Sequence, residues 1–591
     1  MSFLDLGHGK SSERDTPDAA SSPGALALHV SLVFLLAAKV LWGYWERDLT
    51  FGDTSSYFRD AVRWHQNGQV NIVWSPLYTA YFGSWLSVTD NAITATFLHR
   101  LGLILASTGL VTWLGYVTLP RLLALLLVAW WVALPIHYDT LYEVHLFGAL
   151  PILVMAIVAV RVSARWRDPL LLGIAVVSAV LIRNEYVLAV GVLVAWLVFQ
   201  WLRSERFVSL AKLLSMGKRF GVVLFAAGAL IAYLYAVSYI QGHAILEVSR
   251  PKHSLNMCQV YAFGYQQRYT DWKGSPWTDC SSLMQTKFGS LQPNLHEMIS
   301  ANAKEVIAHF AWNLSLTRAG LEVLLFNATS AADNPDYAPV KVVPVLPNIL
   351  LVFTLLIGIS GSVVAFRNAP PQLLELRKRL SQTAPLMLAA AVMAIAVILT
   401  QRPRPSYLLG IGVLYMWFVM MMLSALVAKI AWFDSQRGAI IVVAVFVLLF
   451  PSYKSMSLPS KAGVLGQVYD KLSPHASRIC KSPAGPIAVG DYASEIYNYL
   501  CSPNRTSPNG NQGGIFVLGA LPAEKLSTPE NLVAALGVAG AHAMVVDPFL
   551  LQKNPGLKSC PELRDVLLRN GWEQLTYSVE EDGRCTAAYA K

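Results

Sequence analysis

The sequence predicts a polytopic α-helical membrane protein of about eleven spans, carrying a small C-terminal α/β domain outside the cytoplasm. Three observations predict it. Only 14% of the 591 residues are charged, against roughly 25% in soluble chains; that excludes an ordinary cytosolic enzyme, a disordered chain and a coiled coil. Apolar runs of spanning length recur between residues 26 and 453. After residue 455 they stop, and short strand-like runs alternate with helical ones.

Three regions follow in order: a tail (1–25), a transmembrane region (26–454) and a soluble domain (455–591). The tail is polar (SSERDTPDAASSPG) and reads as disordered and cytoplasmic. The apolar runs are 26–45, 97–117, 120–136, 146–162, 169–185, 187–202, 220–241, 346–366, 385–401, 407–427 and 438–453. The first lacks a small-residue cleavage site and reads as a retained span. The pairs 120–136/146–162 and 169–185/187–202 are tight enough for one member of each to be re-entrant or broken.

Charge and cysteine orient the chain. The net charge is +10. With the N-terminus inside, Arg161, Arg165 and Arg167, then Arg203, Arg206, Lys212, Lys218 and Arg219, then Arg367, Arg377, Lys378 and Arg379, then Lys429 and Arg437, all fall inside. That satisfies the positive-inside rule and gives the basic excess a membrane explanation, with no nucleic-acid partner. All six cysteines (258, 280, 480, 501, 560, 585) then lie outside, where disulfides persist. Nearest-neighbour pairing is 258–280, 480–501 and 560–585, although spacing alone does not fix connectivity. No CxxC or Cys/His cluster points to zinc. The placement is a cytoplasmic (inner) membrane.

Three external segments carry structure. In 46–95, DTSSYFRDAVRWHQN reads as an amphipathic helix on the membrane surface, ending at Asn67-Gly68. WSPLYTAYFGSWL follows it. Region 242–343 carries aromatic clusters and a helix at 294–310. In the tail domain, PIAVGD, GIFVLG, AHAMVVD, WEQLTYSV and RCTAAYA read as strands, with YASEIYNYL, ENLVAALGVAG and CPELRDVLLRNG as helices. No P-loop or dinucleotide fingerprint appears.

Ionisable groups at membrane depth or at span ends are costly and therefore functional candidates. On the external side these are Asp53 and Asp60; His99 and Arg100; Asp139, Glu143 and His145; Arg183 and Glu185; and Arg402, Arg404 and Tyr407. Arginines facing carboxylates suit one task. The arginines hold an anionic phosphate while a carboxylate takes a proton from an attacking hydroxyl. Plainer readings stand beside these. Asp53 caps a helix, Arg183 snorkels, Arg402 and Arg404 anchor at headgroups, and Glu143 and His145 are solvated loop residues. The N-x-S/T sequons at Asn313, Asn327 and Asn504 matter only in a secretory pathway.

The order of these features resembles GT-C-type glycosyltransferases, polytopic enzymes that take sugar from a polyprenyl- or dolichyl-linked donor. The resemblance rests on Gly52-Asp53-Thr54-Ser55-Ser56-Tyr57, then Gly68, then Trp74-Ser75-Pro76-Leu77-Tyr78 and Arg100. The acidic stretch Asp139–His145 and the late Arg402/Arg404/Tyr407 element add to it, as does GVAGAHAMVVD in the tail. The WWD-type signature of oligosaccharyltransferases is absent. So is the acidic pair of protein O-mannosyltransferases, because Thr54 follows Asp53.

The resemblance implies an inverting one-step transfer. Asp53 would be the general base. Arg404, Arg402 and Arg183 would hold the leaving phosphate. Glu143 or His145 would orient a substrate, and Tyr57, Arg100, Asp139 and Tyr407 would line the binding site. The donor is a polyprenyl-phosphate sugar and the acceptor an external hydroxyl on a glycolipid, polysaccharide or protein, with membrane lipids around and no metal or other cofactor. Three other readings compete. A transporter or flippase of a lipid-linked saccharide would show repeat symmetry and broken helices. A non-catalytic envelope-assembly protein would leave Asp53 dispensable. An O-antigen ligase or polymerase would use late arginines without Asp53.

Overall fold

The computed structural model describes residues 23–42, 53–68, 75–134, 137, 143–203, 210–240, 250–326, 345–367, 373–427, 436–449, 464–480, 486–490, 495–503, 515–518, 521, 523–548, 550–557, 559–579 and 583–591. It is a polytopic helical membrane domain with a small α/β domain at the C-terminal end. Each of the eleven apolar runs is a helix. They are α1 (Pro23–Leu41), α4 (Ala92–Thr118), α5 (Arg121–Val132), α6 (Glu143–Arg161), α7 (Ala164–Leu181), α8 (Tyr186–Arg203), α9 (Leu210–Ile240), α14 (Leu346–Arg367), α15 (Leu374–Thr400), α16 (Pro405–Val427) and α17 (Gln436–Leu449). Between them lie α2 (Asp53–Asn67), α3 (Pro76–Ser84), α10 (Arg250–Arg268), α11 (Cys280–Phe288), α12 (Leu295–Ser315) and α13 (Thr317–Phe326).

Seven of these helices, α4, α6, α8, α9, α14, α15 and α16, are by themselves long and apolar enough to cross a bilayer. The others are shorter or less apolar over the described residues. The 12-residue α5 rises about 18 Å, against a hydrocarbon core of about 30 Å. Pro120 precedes it, and its flanks are buried by α4, α16 and α17. The first two turns of α7 carry Arg165, Arg167 and Asp168. Outward faces of α8, α9 and α14 expose Val187, Phe199, Phe225 and Phe353, as lipid contact requires.

The helix expected at 53–67 is present, but lipid does not cover its apolar face. Tyr57, Phe58, Ala61 and Val62 are buried by protein, with α2 packed on α3 and on a helix of the C-terminal domain. Gly68 ends it at φ 66°, donating to Trp64 O at 2.6 Å, as a left-handed C-terminal cap does.

Helices α10 to α12 form a separate small core around Cys258, Tyr261, Met284 and Met298. Asn294 and Glu297 close a capping box at the start of α12. We refer to residues 250–326 as the cap.

The C-terminal domain holds α18 (Val464–Leu472), α19 (Ala476–Ile479), β1 (Ile487–Val489), α20 (Ile496–Cys501), β2 (Ile515–Val517), α21 (Pro529–Val538), β3 (Ala543–Val546), α22 (Cys560–Arg569), β4 (Glu573–Val579) and β5 (Cys585–Ala590). The sheet order is β2-β1-β3-β5-β4. The pairs β2/β1 and β1/β3 are parallel, and β3/β5 and β5/β4 are antiparallel. Alternation along β3 decides its two faces. Ala543 and Val545 join the core continuous with the membrane helices. Met544 and Val546 pack in a second core with Leu536 and Leu563.

All three nearest-neighbour disulfides are formed: Cys258–Cys280, Cys480–Cys501 and Cys560–Cys585. In the chain-entropy account each such loop stabilises the fold by about 3 kcal/mol. Residues 1–22, the sequons at Asn327 and Asn504, and Asp139 lie outside the described residues.

Candidate active site

The ends of α6, α8, α15 and α16, with the turn between α7 and α8, border an open cleft. Its walls are mostly small or apolar: Ala149 and Ile152 from α6, Ala390, Met393 and Ala394 from α15, and Leu409 and Gly410 from α16. Its polar end holds His145, Arg183, Glu185, Ser406 and Tyr407. A narrow apolar groove with one charged end suits an amphiphile rather than a free polar metabolite.

Arg183 is the hub. Its Nε pairs with the Glu185 carboxylate and its Nη1 meets His145 Nδ1. Its Cζ lies 5.8 Å from the Tyr407 ring centroid. Tyr407 also meets His145 edge to face, with centroids 5.0 Å apart. Local backbone explains the placement. Helix α7 ends at Leu181, and Arg183 N donates to Ser178 O at 2.8 Å, turning the chain before α8 begins at Tyr186. Gly148 gives the side chain room, since a Cβ there would stand 2.7 Å from Arg183 Cδ. Tyr186 fixes α8 to α6 by donating to Gly148 O at 2.6 Å.

The late arginine loop joins this cluster from above α16. Tyr407 N donates to Arg404 O at 3.0 Å, and Arg404 N to Arg402 O at 2.7 Å. Arg404 acts electrostatically on His145. Arg402 is buried, with its guanidinium 5.6 Å from the Phe263 ring of α10. Helix α13 presses on the same loop, because a Cβ on Gly320 would come 2.1 Å from Pro403 O.

The segment holding α2 and α3 arrives from the other side. Tyr57 acts electrostatically on Arg183 and packs edge to face on Tyr78, centroids 5.4 Å apart. Tyr78 in turn meets Phe147 of α6 at 5.5 Å. Ser75, before Pro76, is buried at φ 105°. A left-handed serine is costly and persists only where its surroundings hold it. Here its hydroxyl points at Leu181 O, 3.5 Å away at the end of α7.

Asp53 opens α2 and is exposed. It sits one turn before Tyr57, so the two share a helix face. Asp60, a further turn on, is buried beside Arg59 and Arg63, each 3.6 Å away.

The expected residues therefore fall into groups. His145, Arg183 and Tyr407 meet directly; Tyr57 and Arg404 lie within electrostatic reach; Asp53 stands one turn from Tyr57. Arg402 is set apart under the cap. Arg100 is buried on α4 within electrostatic reach of His137, away from the cleft lining. Glu143 begins α6, and its side chain lies outside the described residues.

Sequence reasoning missed the parts played by Gly148 and Tyr186. The Arg183-Asn184-Glu185-Tyr186 order carried a signal for Tyr186, while nothing in an apolar helix marked Gly148. Among the described residues no three His, Cys, Asp or Glu side chains converge on a point that would hold a metal.

No family model matches the chain, and no curated protein matches it. Among solved structures the chain is similar to ArnT from Cupriavidus metallidurans. The apo crystal structure of that protein aligns with 13% identity and a TM-score of 0.37, over 96% of this chain and 98% of that one. Its structure bound to undecaprenyl phosphate aligns with 11% identity and a TM-score of 0.33, over the same shares of the two chains.

Proposed function

We propose that the protein is a membrane glycosyltransferase that moves a sugar from a polyprenyl-phosphate donor to an external hydroxyl. One observation carries the reading: an apolar cleft between membrane helices ends on Arg183, flanked by His145, Glu185 and Tyr407. A lipid phosphate has this shape and charge, with an isoprenoid tail for the groove and an anion for the guanidinium.

In the proposed step the acceptor oxygen attacks the anomeric carbon and its proton passes to the Asp53 carboxylate. The bond from that carbon to the phosphate oxygen breaks, and its electron pair leaves with the polyprenyl phosphate. Attack opposite the leaving group inverts the centre. Arg183 and Arg404 stabilise the phosphate charge as it grows, which is the main demand of such a leaving group. Tyr407 and His145 hold Arg183 in place. Tyr57 links the α2 face bearing Asp53 to Arg183. The expected side of the reaction is extracytoplasmic, at an inner membrane.

The test is transfer from a panel of radiolabelled polyprenyl-phosphate sugars to membrane acceptors, with wild type, Arg183→Ala and Asp53→Asn at equal expression. Transfer by wild type that both variants lose supports the proposal, and the labelled product names the acceptor. Equal transfer by Asp53→Asn removes it as the base. No transfer from any donor by folded protein overturns the reading.

A further inference from the structure

The C-terminal domain reaches back to α2 through α20 and the residues just after it. Asn498 Nδ2 donates to Ser55 Oγ at 3.2 Å, and both residues are buried. The next residue, Tyr499, packs against Phe58 with ring centroids 4.8 Å apart. Both rings are fully enclosed. At the far end of α2, Gln66 Nε2 donates to Pro503 O at 3.1 Å.

Helical periodicity sorts these contacts. Ser55, Phe58 and Gln66 lie on one face of α2, and Asp53 and Tyr57 on the opposite face. Helix α2 is thus held from behind by residues 498–503 while its other face carries the proposed base. Support from outside is needed, because a helix of 15 residues is marginal in water on its own. The support itself is tied down. Cys501 ends α20 and is bonded to Cys480 after α19.

We infer that residues 498–503 form the seat of α2, with Asn498 and Tyr499 as positioning residues for Asp53 and Tyr57. This rests on the function proposed above. The C-terminal domain then belongs to the catalytic machinery through α2 and not only to the bulk of the fold.

The test uses the full-length protein in lipid nanodiscs. Amide hydrogen exchange over residues 53–67 is compared in wild type, Asn498→Ala, Ser55→Ala and the double variant, with β3 and α16 as internal references. Each single variant is expected to speed exchange in the first turns of α2 about fivefold, the worth of one buried hydrogen bond. The double variant adds nothing further. Where transfer is measurable, kcat falls by a similar factor and KM for the donor holds.

Ser55→Ala is the milder change and serves if Asn498→Ala does not fold. Unchanged exchange in α2, or additive effects in the double variant, overturns the seat. If exchange responds as stated while wild type transfers no sugar, the seat stands and the proposed function fails. If transfer occurs while α2 exchange is unmoved, the reverse holds.

Discussion

Two arginine–glutamate clusters sit in this molecule with nearly the same parts. In the cleft, Arg183 meets Glu185, His145 and Tyr407. In the cap, Arg268 pairs with Glu305 at 2.8 Å and lies within 6.0 Å of the rings of Tyr261, Tyr265 and Tyr269. His309 stands in range of Arg268, its ring tilted against Tyr261 with centroids 5.4 Å apart. The difference is what lies beside each. Arg183 lines a cleft between helices, whereas Arg268 and Glu305 are packed among rings of the cap, Tyr261 buried and Tyr269 exposed. Composition alone would rank them equal. Access to a shaped cavity separates a binding group from a structural one.

The largest expected effect is on stability, in the cap. Arg268→Ala leaves Glu305 buried without its cation, which costs about 3–5 kcal/mol. Hydrogen exchange over residues 250–326 would report it as local opening. The mirror experiment is Arg183→Ala. Removing one preorganised donor from a transition state costs about 10²–10³ in kcat, and exchange in the cap stays as in wild type. If Arg183→Ala instead unfolds its helices while activity per folded molecule survives, the distinction between the clusters collapses.

Acid gives a third, slightly smaller effect. Burial first, and then the charge of Arg268, hold His309 down from 6.5 to about 4. The unfolded cap takes up a proton that the folded cap excludes. The contribution is therefore complete above pH 6.5 and drains as pH falls towards 4, on the order of 3 kcal/mol in all. Cap exchange measured between pH 4 and 7 should steepen downward, and His309→Gln should flatten the slope. The smallest effect is Tyr186→Phe, which frees Gly148 O and costs about 1 kcal/mol. It reads as a modest shift in thermal midpoint with transfer retained.

Much of this arrangement was legible in the residues, for identifiable reasons. Every apolar run is a helix, because an unbroken run in this composition has no other way to satisfy its backbone. The strands and helices of the C-terminal domain fall where β-branched runs and capped segments placed them, as Ser559 and Glu562 show at α22. The disulfides follow nearest neighbours because each closes one local excursion. What was not legible depended on neighbours far away in sequence. The amphipathic face of α2 looked ready for lipid, since nothing in 53–67 announces that Tyr499 will cover Phe58. The shortness of α5 was hidden by the apolar residues around it. At the site, charge and position marked Arg183, His145 and Tyr407, but only packing distinguished Arg402 and Arg100 from the residues that line the cleft.

The contact between Ser55 and Asn498 spans 443 positions of the chain. At about 5–20 residues per second of synthesis, α2 waits roughly 20–90 s for the residue that contacts it. Residues 498–503 are made after every helix that lines the cleft. A nascent chain would carry the full arginine cleft before α2 is seated, so biosynthesis itself sets the order in which lipid binding and chemistry become available.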